Sequence, residues 1–413
     1  MEISWRGKLP RDSRFNGPLR FNRVRNPEDA LVPWRERIKH FTWAWFGCTL
    51  STSAVGVLLG LTPHRFPGLT TIGKIFFIFA IVLTVAFSVC ICVRFYLVRP
   101  ALRNSFIHPT ESLFFPTFLL TLLNLLMAVQ IYGVPEEGSW LIVALRVMYW
   151  IYVAVAFITA VVQYLDLFAA PAQRLTIQGM IPAWILPIYP CKLIGSLTAV
   201  LAPSQPPGHR VAMIVAGLTF TGLGWMVALL MLAAYLQRLL AYGLPAPNLR
   251  PGMFISVGPP SFVAIGLIGI ADALPPDYWY LNKHPLAVYV LQPVADFTAI
   301  FIWLLGFWFF CITLLAVLAG VKEMSFHLVW YAMIFPNAGF TMAMIRIGNS
   351  LESPAILWIT SVLTAMLVAM WFFVFGSMVR AVIKRDILMP GKDEDKDQFK
   401  EDDEQYGVRA PPM

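Results

Sequence analysis

The chain is poor in charge. Only 13% of its 413 residues are Asp, Glu, Lys or Arg, while 58% are hydrophobic and the mean hydropathy is +0.68. In a soluble domain about a quarter of the residues are charged. This shortage therefore excludes an ordinary soluble domain and indicates an integral membrane protein. The first long apolar run begins only after residue 40, so we expect no amino-terminal signal peptide.

Cysteine is also scarce, and its placement argues against a disulfide scaffold or a metal site. The five cysteines all fall inside apolar runs, and the pair Cys90-x-Cys92 has no partners at metal-ligand spacing. We interpret them as small apolar side chains and expect neither a metal nor a cofactor. The cysteines are Cys48, Cys90, Cys92, Cys191 and Cys311.

Motifs for enzyme chemistry are incomplete. The stretch "GLTTIGKI" at 68–75 resembles a phosphate-binding loop, but an isoleucine stands where Mg²⁺ needs a hydroxyl. An intramembrane enzyme would need a nucleophile or an acid beside a histidine, and His327 has neither beside it in the sequence. A receptor with long binding loops is a further alternative, but the loops here are short.

Charge divides the chain into three regions. Residues 1–40 hold ten Lys and Arg against five acids, and residues 391–413 hold four against eight. We therefore predict a basic cytosolic segment over 1–40, a transmembrane domain over 41–385, and an acidic, disordered cytosolic tail over 386–413.

Apolar runs of about twenty residues or more predict an all-α integral membrane protein with ten transmembrane helices. They form five pairs, numbered here as spans 1 to 10. The predicted bounds are 42–62 and 70–98, 110–132 and 139–168, 181–203 and 210–242, 250–271 and 287–320, and 325–347 and 352–384.

Basic residues near the span ends predict the orientation. With the amino terminus in the cytosol, thirteen of them fall on the cytosolic side and five on the outer side. Ten spans return the carboxyl terminus to the cytosol, so we expect both termini there, with the protein in the plasma membrane.

Spans alternate in character along the chain. The even-numbered spans are longer and uniformly apolar, whereas the odd-numbered ones carry Pro, Gly and small polar residues in their middles, as in "CTLSTSAVG", "YPCK", "VGPPS" and "FPNAGF". Such residues are common where membrane helices pack closely, but their presence in alternate spans indicates a repeat of five helix hairpins. We predict an inner ring of five kinked helices around a pore, with five longer helices outside.

Four of these stretches carry a family resemblance. "HFTWAWFGCTLSTSAVGVLL" at 40–59, "PAWILPIYP" at 182–190, "RPGMFISVGPPS" at 250–261 and "FPNAGFT" at 335–341 resemble the fungal malic acid permeases of the tellurite-resistance/dicarboxylate transporter family, relatives of the plant slow anion channels. The resemblance implies ten helices, a pore within each protomer, a homotrimer, and a phenylalanine closing the pore on the ninth helix.

Phe335 matches that phenylalanine because it directly precedes Pro336, which interrupts helical hydrogen bonding. It lies about ten residues into span 9, near the membrane midplane by the helical rise. A ring there can close a pore by excluding water. We predict Phe335 and Pro336 as the gate, with Phe340 as the alternative.

Arg346 is the candidate anion ligand on the same helix. Eleven residues beyond Phe335, it returns to within about 20° of the same face and lies about 16 Å further along the axis. Arginine binds carboxylates through its planar fork. The alternative is an interfacial arginine whose guanidinium extends to the headgroups.

Further candidates for anion binding lie in spans 1, 5, 7 and 9. Lys192 is deep in span 5, where a charge costs about 2.5–3.5 kcal/mol and marks either a pathway or a buried ion pair. Small polar residues and glycine supply donors or exposed backbone, or else bond their own helix. These are Ser51, Thr52, Ser53, Gly258, Ser261 and Asn337.

Proton coupling has weaker candidates. His327 and Asp166 lie toward the cytosolic side, and Asp272, Asp296 and Glu352 toward the outer surface. Each also fits an interfacial cap or an ion pair.

The sequence thus predicts transport of a C4-dicarboxylate anion such as malate, with the lipid bilayer as surroundings and no nucleic acid as partner. Sulfite efflux, another activity of the same family, is the alternative.

Overall fold

The computed structural model describes residues 32–389, apart from 109, 170–175, 277, 279, 280 and 285. Across these residues the chain is helical, with no β-strand. Most of the predicted basic segment 1–40 and nearly all of the acidic tail 386–413 lie outside the described residues.

Ten helices in the described part of the chain are long and apolar enough to cross a membrane, which confirms the predicted class and number. Their ends agree with the predicted bounds to within four residues. Spans 1 to 10 run Trp43–Leu61, Leu69–Leu97, Ser112–Glu136, Ser139–Ala169, Pro182–Ser204, Pro207–Tyr242, Pro247–Asp272, Ala287–Glu323, Leu328–Ser350 and Pro354–Lys384. Short helices at Trp34–Ile38 and Ala101–Ile107 lie before span 1 and between spans 2 and 3.

Burial alternates between the spans. The most apolar window of each odd-numbered span is 61–94% buried, whereas the corresponding windows of the even-numbered spans are 22–39% buried. Polar groups in lipid need partners, so the spans with Ser, Thr and Pro in their middles lie inside, and the uniformly apolar ones present their side chains to lipid.

Contacts between the odd-numbered spans follow a closed circuit. Span 1 packs against span 3, span 3 against span 5, span 5 against span 7, span 7 against span 9, and span 9 against span 1. Each odd-numbered span also contacts the even-numbered span that follows it. The five hairpins therefore place one helix each in an inner ring and one outside it.

The kinks predicted for the odd-numbered spans take a specific form. Each begins as a 3₁₀ segment and then becomes α-helical, and in spans 3, 5, 7 and 9 a proline occupies the first turn of the α-helix. Proline suits that place because its missing N–H would have no intrahelical acceptor there. The α-helices begin at Phe46, Phe115, Tyr189, Gly258 and Phe335, with a second helix in span 5 from Ile194.

Two arginines connect elements at the amino-terminal side of the ring. Arg94 of span 2 and Glu111 before span 3 form a fully buried ion pair, and Arg94 also donates to the carbonyl of Phe41. Nearby, Arg37 donates to the carbonyls of Val382 and Leu388.

The segment just after span 10 differs from the predicted start of the tail at 386. Ile387 and Met389 are buried, so the packed domain continues at least to residue 389. The boundary was predicted from the acidic composition of the tail as a whole. The first residues after 385 include apolar side chains, which pack against the domain.

Candidate functional site

A cavity lies at the amino-terminal ends of the odd-numbered spans, and all five of them line it. Its volume of about 50 Å³ is sufficient for a few water molecules. Phe335 and Pro336, the predicted gate, are among the residues that line it. Representative lining residues are Gly47 and Ser51 of span 1, Thr117 of span 3, Tyr189 of span 5 and Ile255 of span 7.

Phe335 is buried between two other aromatic rings. Its ring stacks on Phe262 of span 7, with centroids 5.0 Å apart, and tilts against Tyr189 of span 5 at 6.5 Å. Sequence reasoning missed both partners, because an aromatic residue in an apolar span gives no signal of its own. Three spans thus meet beside the cavity through aromatic side chains.

Phe340, the alternative gate, lies elsewhere. It stacks on three aromatic residues of span 8, with ring centroids 4.8 Å from Trp303, 6.2 Å from Phe307 and 5.4 Å from Phe310. This ring faces the outer helices, so the structure favours Phe335 over Phe340 as the gate.

Lys192 is fully buried beside the same aromatic residues. Its Nζ lies 3.7 Å from the ring centroid of Tyr189 and 5.6 Å from that of Phe262. No residue in the described ranges accepts a hydrogen bond from it. The described residues therefore provide no partner for the buried ion pair, and the pathway role of Lys192 stays a prediction.

Glycines let the rings approach the helices closely. A Cβ atom on Gly258 would lie 2.4 Å from the Tyr189 hydroxyl, and one on Gly339 would lie 2.5 Å from the Phe262 ring. Tyr189 also donates to the carbonyl of Ile255 over 2.6 Å, which fixes its ring. Gly258 therefore makes room for an aromatic residue of the site.

Three of the predicted small polar residues have their hydrogen-bond partners in the inner spans. Ser51 lines the cavity and donates to the carbonyl of Tyr331. Ser53 receives a hydrogen bond from Asn124 of span 3. Asn337 donates to the carbonyl of Met333 in its own span, while its Oδ1 is buried without a partner in the part of the chain described.

Two others turn away from the ring. Thr52 donates to the carbonyl of Cys48 and accepts from the indole of Trp371 in span 10. Ser261 donates to the carbonyl of Val257 and packs close to Gly306 of span 8. Because both side chains contact outer spans, we leave Thr52 and Ser261 out of the pathway.

Arg346 lies near the far end of the ring, where spans 5, 7 and 9 meet. Its guanidinium faces Asp272 of span 7, with 3.7 Å between nitrogen and oxygen. Gly269 packs tightly against Ala199 of span 5, and a Cβ on this glycine would lie 3.6 Å from the guanidinium carbon. Phe335 and Arg346 thus both contact span 7, at Phe262 and Asp272, which lie nearly three helical turns apart.

The remaining titratable candidates are dispersed. Asp166 and Glu352 are exposed, and Asp296 of span 8 is half-buried. His327 shares a hydrogen bond with the carbonyl of Ser325 at the start of span 9. The described residues contain no group of His, Cys, Asp or Glu suited to hold a metal ion.

Comparison with known proteins identifies the family. A family model described as the SLAC1 voltage-dependent anion channel matches residues 40–379. The malic acid transport protein of Schizosaccharomyces pombe is 38% identical over 373 residues, which cover 90% of this chain and 85% of that protein. A putative malic acid transport protein of the same yeast is 35% identical over 378 residues, covering 91% and 86%.

A more distant relative is an uncharacterised transporter of Methanocaldococcus jannaschii, 21% identical over 307 residues, or 73% of this chain and 82% of its own. The match of the family model spans all but the last few residues of the ten-helix region, including the cavity and the aromatic closure. The resemblance found in the four sequence stretches is confirmed: this chain belongs to the SLAC1 voltage-dependent anion channel family.

Proposed function

We propose that this protein transports C4-dicarboxylate anions such as malate across a membrane, along the axis of its inner ring. Two relatives, 38% and 35% identical over the aligned residues, are named as a malic acid transport protein and a putative malic acid transport protein. The observation that carries the proposal is the order along span 9: a cavity, an aromatic closure at Phe335, and an arginine further along. Membership of an anion channel family favours transport over an intramembrane enzyme or a receptor.

Charges and helix ends attract the anion. Lys192 provides an unpaired donor beside the closure, and Arg346 a planar fork for a carboxylate at the far end. Ser51, Ser53 and Asn337 add polar groups. Near the closure the inner spans begin their α-helices, and the positive ends of the helix dipoles face the cavity.

Membrane potential constrains the direction of flow. Each charge moved through 100 mV costs about 2.3 kcal/mol, so a dianion entering a negative-inside cell opposes roughly twice that. Passive flow therefore releases malate from the cell, and uptake requires the monoanion or accompanying protons. His327 and Asp166 are the proton-carrying groups proposed from sequence.

Assembly and location complete the proposal. The protein forms a homotrimer with one path per protomer, lies in the plasma membrane and keeps both termini in the cytosol. The excess of basic residues at one set of span ends supports this orientation. Protease treatment of sealed vesicles tests it, because both tails should be cut from the cytosolic face and neither from the other.

Anion flux into proteoliposomes tests the function. Wild type, Phe335→Ala and Phe340→Ala are compared with malate and with sulfite. We expect malate flux in wild type and a several-fold increase in Phe335→Ala, because removal of the ring opens the path. Phe340→Ala is the matched control on the same helix and should not increase flux.

Sulfite flux without malate flux would show that the protein transports sulfite, the alternative substrate. No flux of either anion from correctly inserted protein would refute transport.

A further inference from the structure

The closure contains more than one phenylalanine. Phe335, Phe262 and Tyr189 come from spans 9, 7 and 5, and the amino group of Lys192 faces the rings of the latter two. We call these four residues the gate cluster. All four are buried.

Lys192 and Phe335 are connected through the rings of Tyr189 and Phe262. Lys192 Nζ lies 3.7 Å from the Tyr189 centroid and 5.6 Å from the Phe262 centroid, and both rings contact Phe335. The lysine therefore touches the two rings that hold the gate phenylalanine in place. A movement of the amino group changes the contacts of both.

The amino group of Lys192 has hydrogens to donate, but no residue in the described ranges accepts them. Aromatic faces attract an ammonium group only weakly compared with a carboxylate, which accepts short, charge-assisted hydrogen bonds. A buried charge without a counter-ion is costly. An arriving carboxylate would supply the missing counter-ion and is a stronger partner for this amino group than the rings are.

We propose that Lys192 triggers opening of the gate, and that Phe262 and Tyr189 form the gate together with Phe335. A carboxylate that reaches the closure draws the amino group from the rings, which frees Phe335 to move. This inference rests on the proposed function and adds to it a means by which the anion itself opens the path. Its ligand is the carboxylate group of the transported anion.

A double-variant experiment separates a trigger from a simple binding residue. Malate flux is measured in proteoliposomes for Lys192→Met, Phe335→Ala and the double variant. Loss of charge-assisted hydrogen bonds corresponds to roughly a tenfold decrease or more, and we expect this decrease for Lys192→Met in the wild-type background. In the Phe335→Ala background the path is already open, so Lys192→Met should have little effect.

An equal decrease in both backgrounds would overturn the trigger role, because Lys192 would then act by binding alone. Absence of malate flux through Phe335→Ala itself would refute the transport proposal, and this inference with it. Lys74→Met, at an exposed ion pair with Glu136, is the matched control and should retain wild-type flux.

Phe262→Leu provides an independent test that keeps Lys192 in place. Loss of the stacked ring should increase basal flux as Phe335→Ala does. Unchanged flux in this variant would overturn the role of Phe262 in the gate. Thermal unfolding in detergent establishes that each variant is folded before its flux is compared.

Discussion

Single residues control how closely the gate rings fit. Gly339 lies beneath the ring of Phe262, and a Cβ atom there would approach the ring to 2.5 Å. Real Cβ atoms do not come this close, so a larger residue must displace the ring. Because Phe262 stacks on Phe335, the displacement reaches the gate.

Gly339→Ala should therefore increase basal malate flux several-fold. It should also lower the free energy of unfolding by about 1–3 kcal/mol, the usual cost of overpacking. Flux assays and thermal unfolding measure the two effects. Gly222→Ala, at a site with open space around it, is the control, and identical behaviour of the two variants would contradict the prediction.

Arg346 and Asp272 give a second prediction at this scale. Their separation of 3.7 Å means that Asp272 competes with an incoming carboxylate for the guanidinium. Arg346→Gln should lower malate flux roughly tenfold, because it removes charge-assisted hydrogen bonds. Asp272→Asn should preserve or increase flux. A similar loss in both variants would show that the ion pair has a structural role instead.

The sequence predicted the site unevenly. Phe335 could be predicted because a proline follows it, and Lys192 because it lies deep in an apolar span. Both features are costly in lipid. Nothing in composition distinguished Tyr189 or Phe262 from the other aromatic residues. Thr52 was included with its neighbours although three consecutive helical residues cannot share a face, and only packing fixes which of them points inward.

Spans were predicted more successfully than side-chain directions. A run of about twenty apolar residues is a strong signal, and all ten helices lie within a few residues of their expected ends. The 3₁₀ segments that open the odd-numbered spans were not anticipated. Proline spacing indicates where helical hydrogen bonding is interrupted, but not which helical form precedes the interruption.

Connections between elements include one deeply buried ion pair. Arg94 and Glu111 join span 2 to the start of span 3, and both side chains are inaccessible to solvent. Removing one partner of such a buried pair costs about 3–5 kcal/mol.

Glu111→Gln should therefore lower the unfolding temperature of the detergent-solubilised protein markedly. The double variant Arg94→Met/Glu111→Leu should recover much of that loss, because no charge is then left unpaired. The exposed pair Lys74–Glu136 provides the control, where Glu136→Gln should change stability by less than about 1 kcal/mol. Equal effects at both pairs would contradict the prediction.

For the whole molecule, the proposed trimer sets a measurable mass. One chain has a mass of 46.4 kDa, and light scattering that corrects for bound detergent should give three times this value. A monodisperse monomer that still transports malate would contradict the trimer while leaving the path within one protomer intact.

The lengths of the outer helices have a consequence for the membrane that holds them. The even-numbered spans contain 29–37 residues, so even the shortest is about 44 Å long, against a hydrocarbon thickness of about 30 Å. Such helices must tilt or project beyond the lipid tails. A thicker or thinner bilayer can be accommodated by a change in their tilt, without repacking the inner ring. Conductance should then depend little on acyl-chain length, and the protein is suited to membranes of different composition.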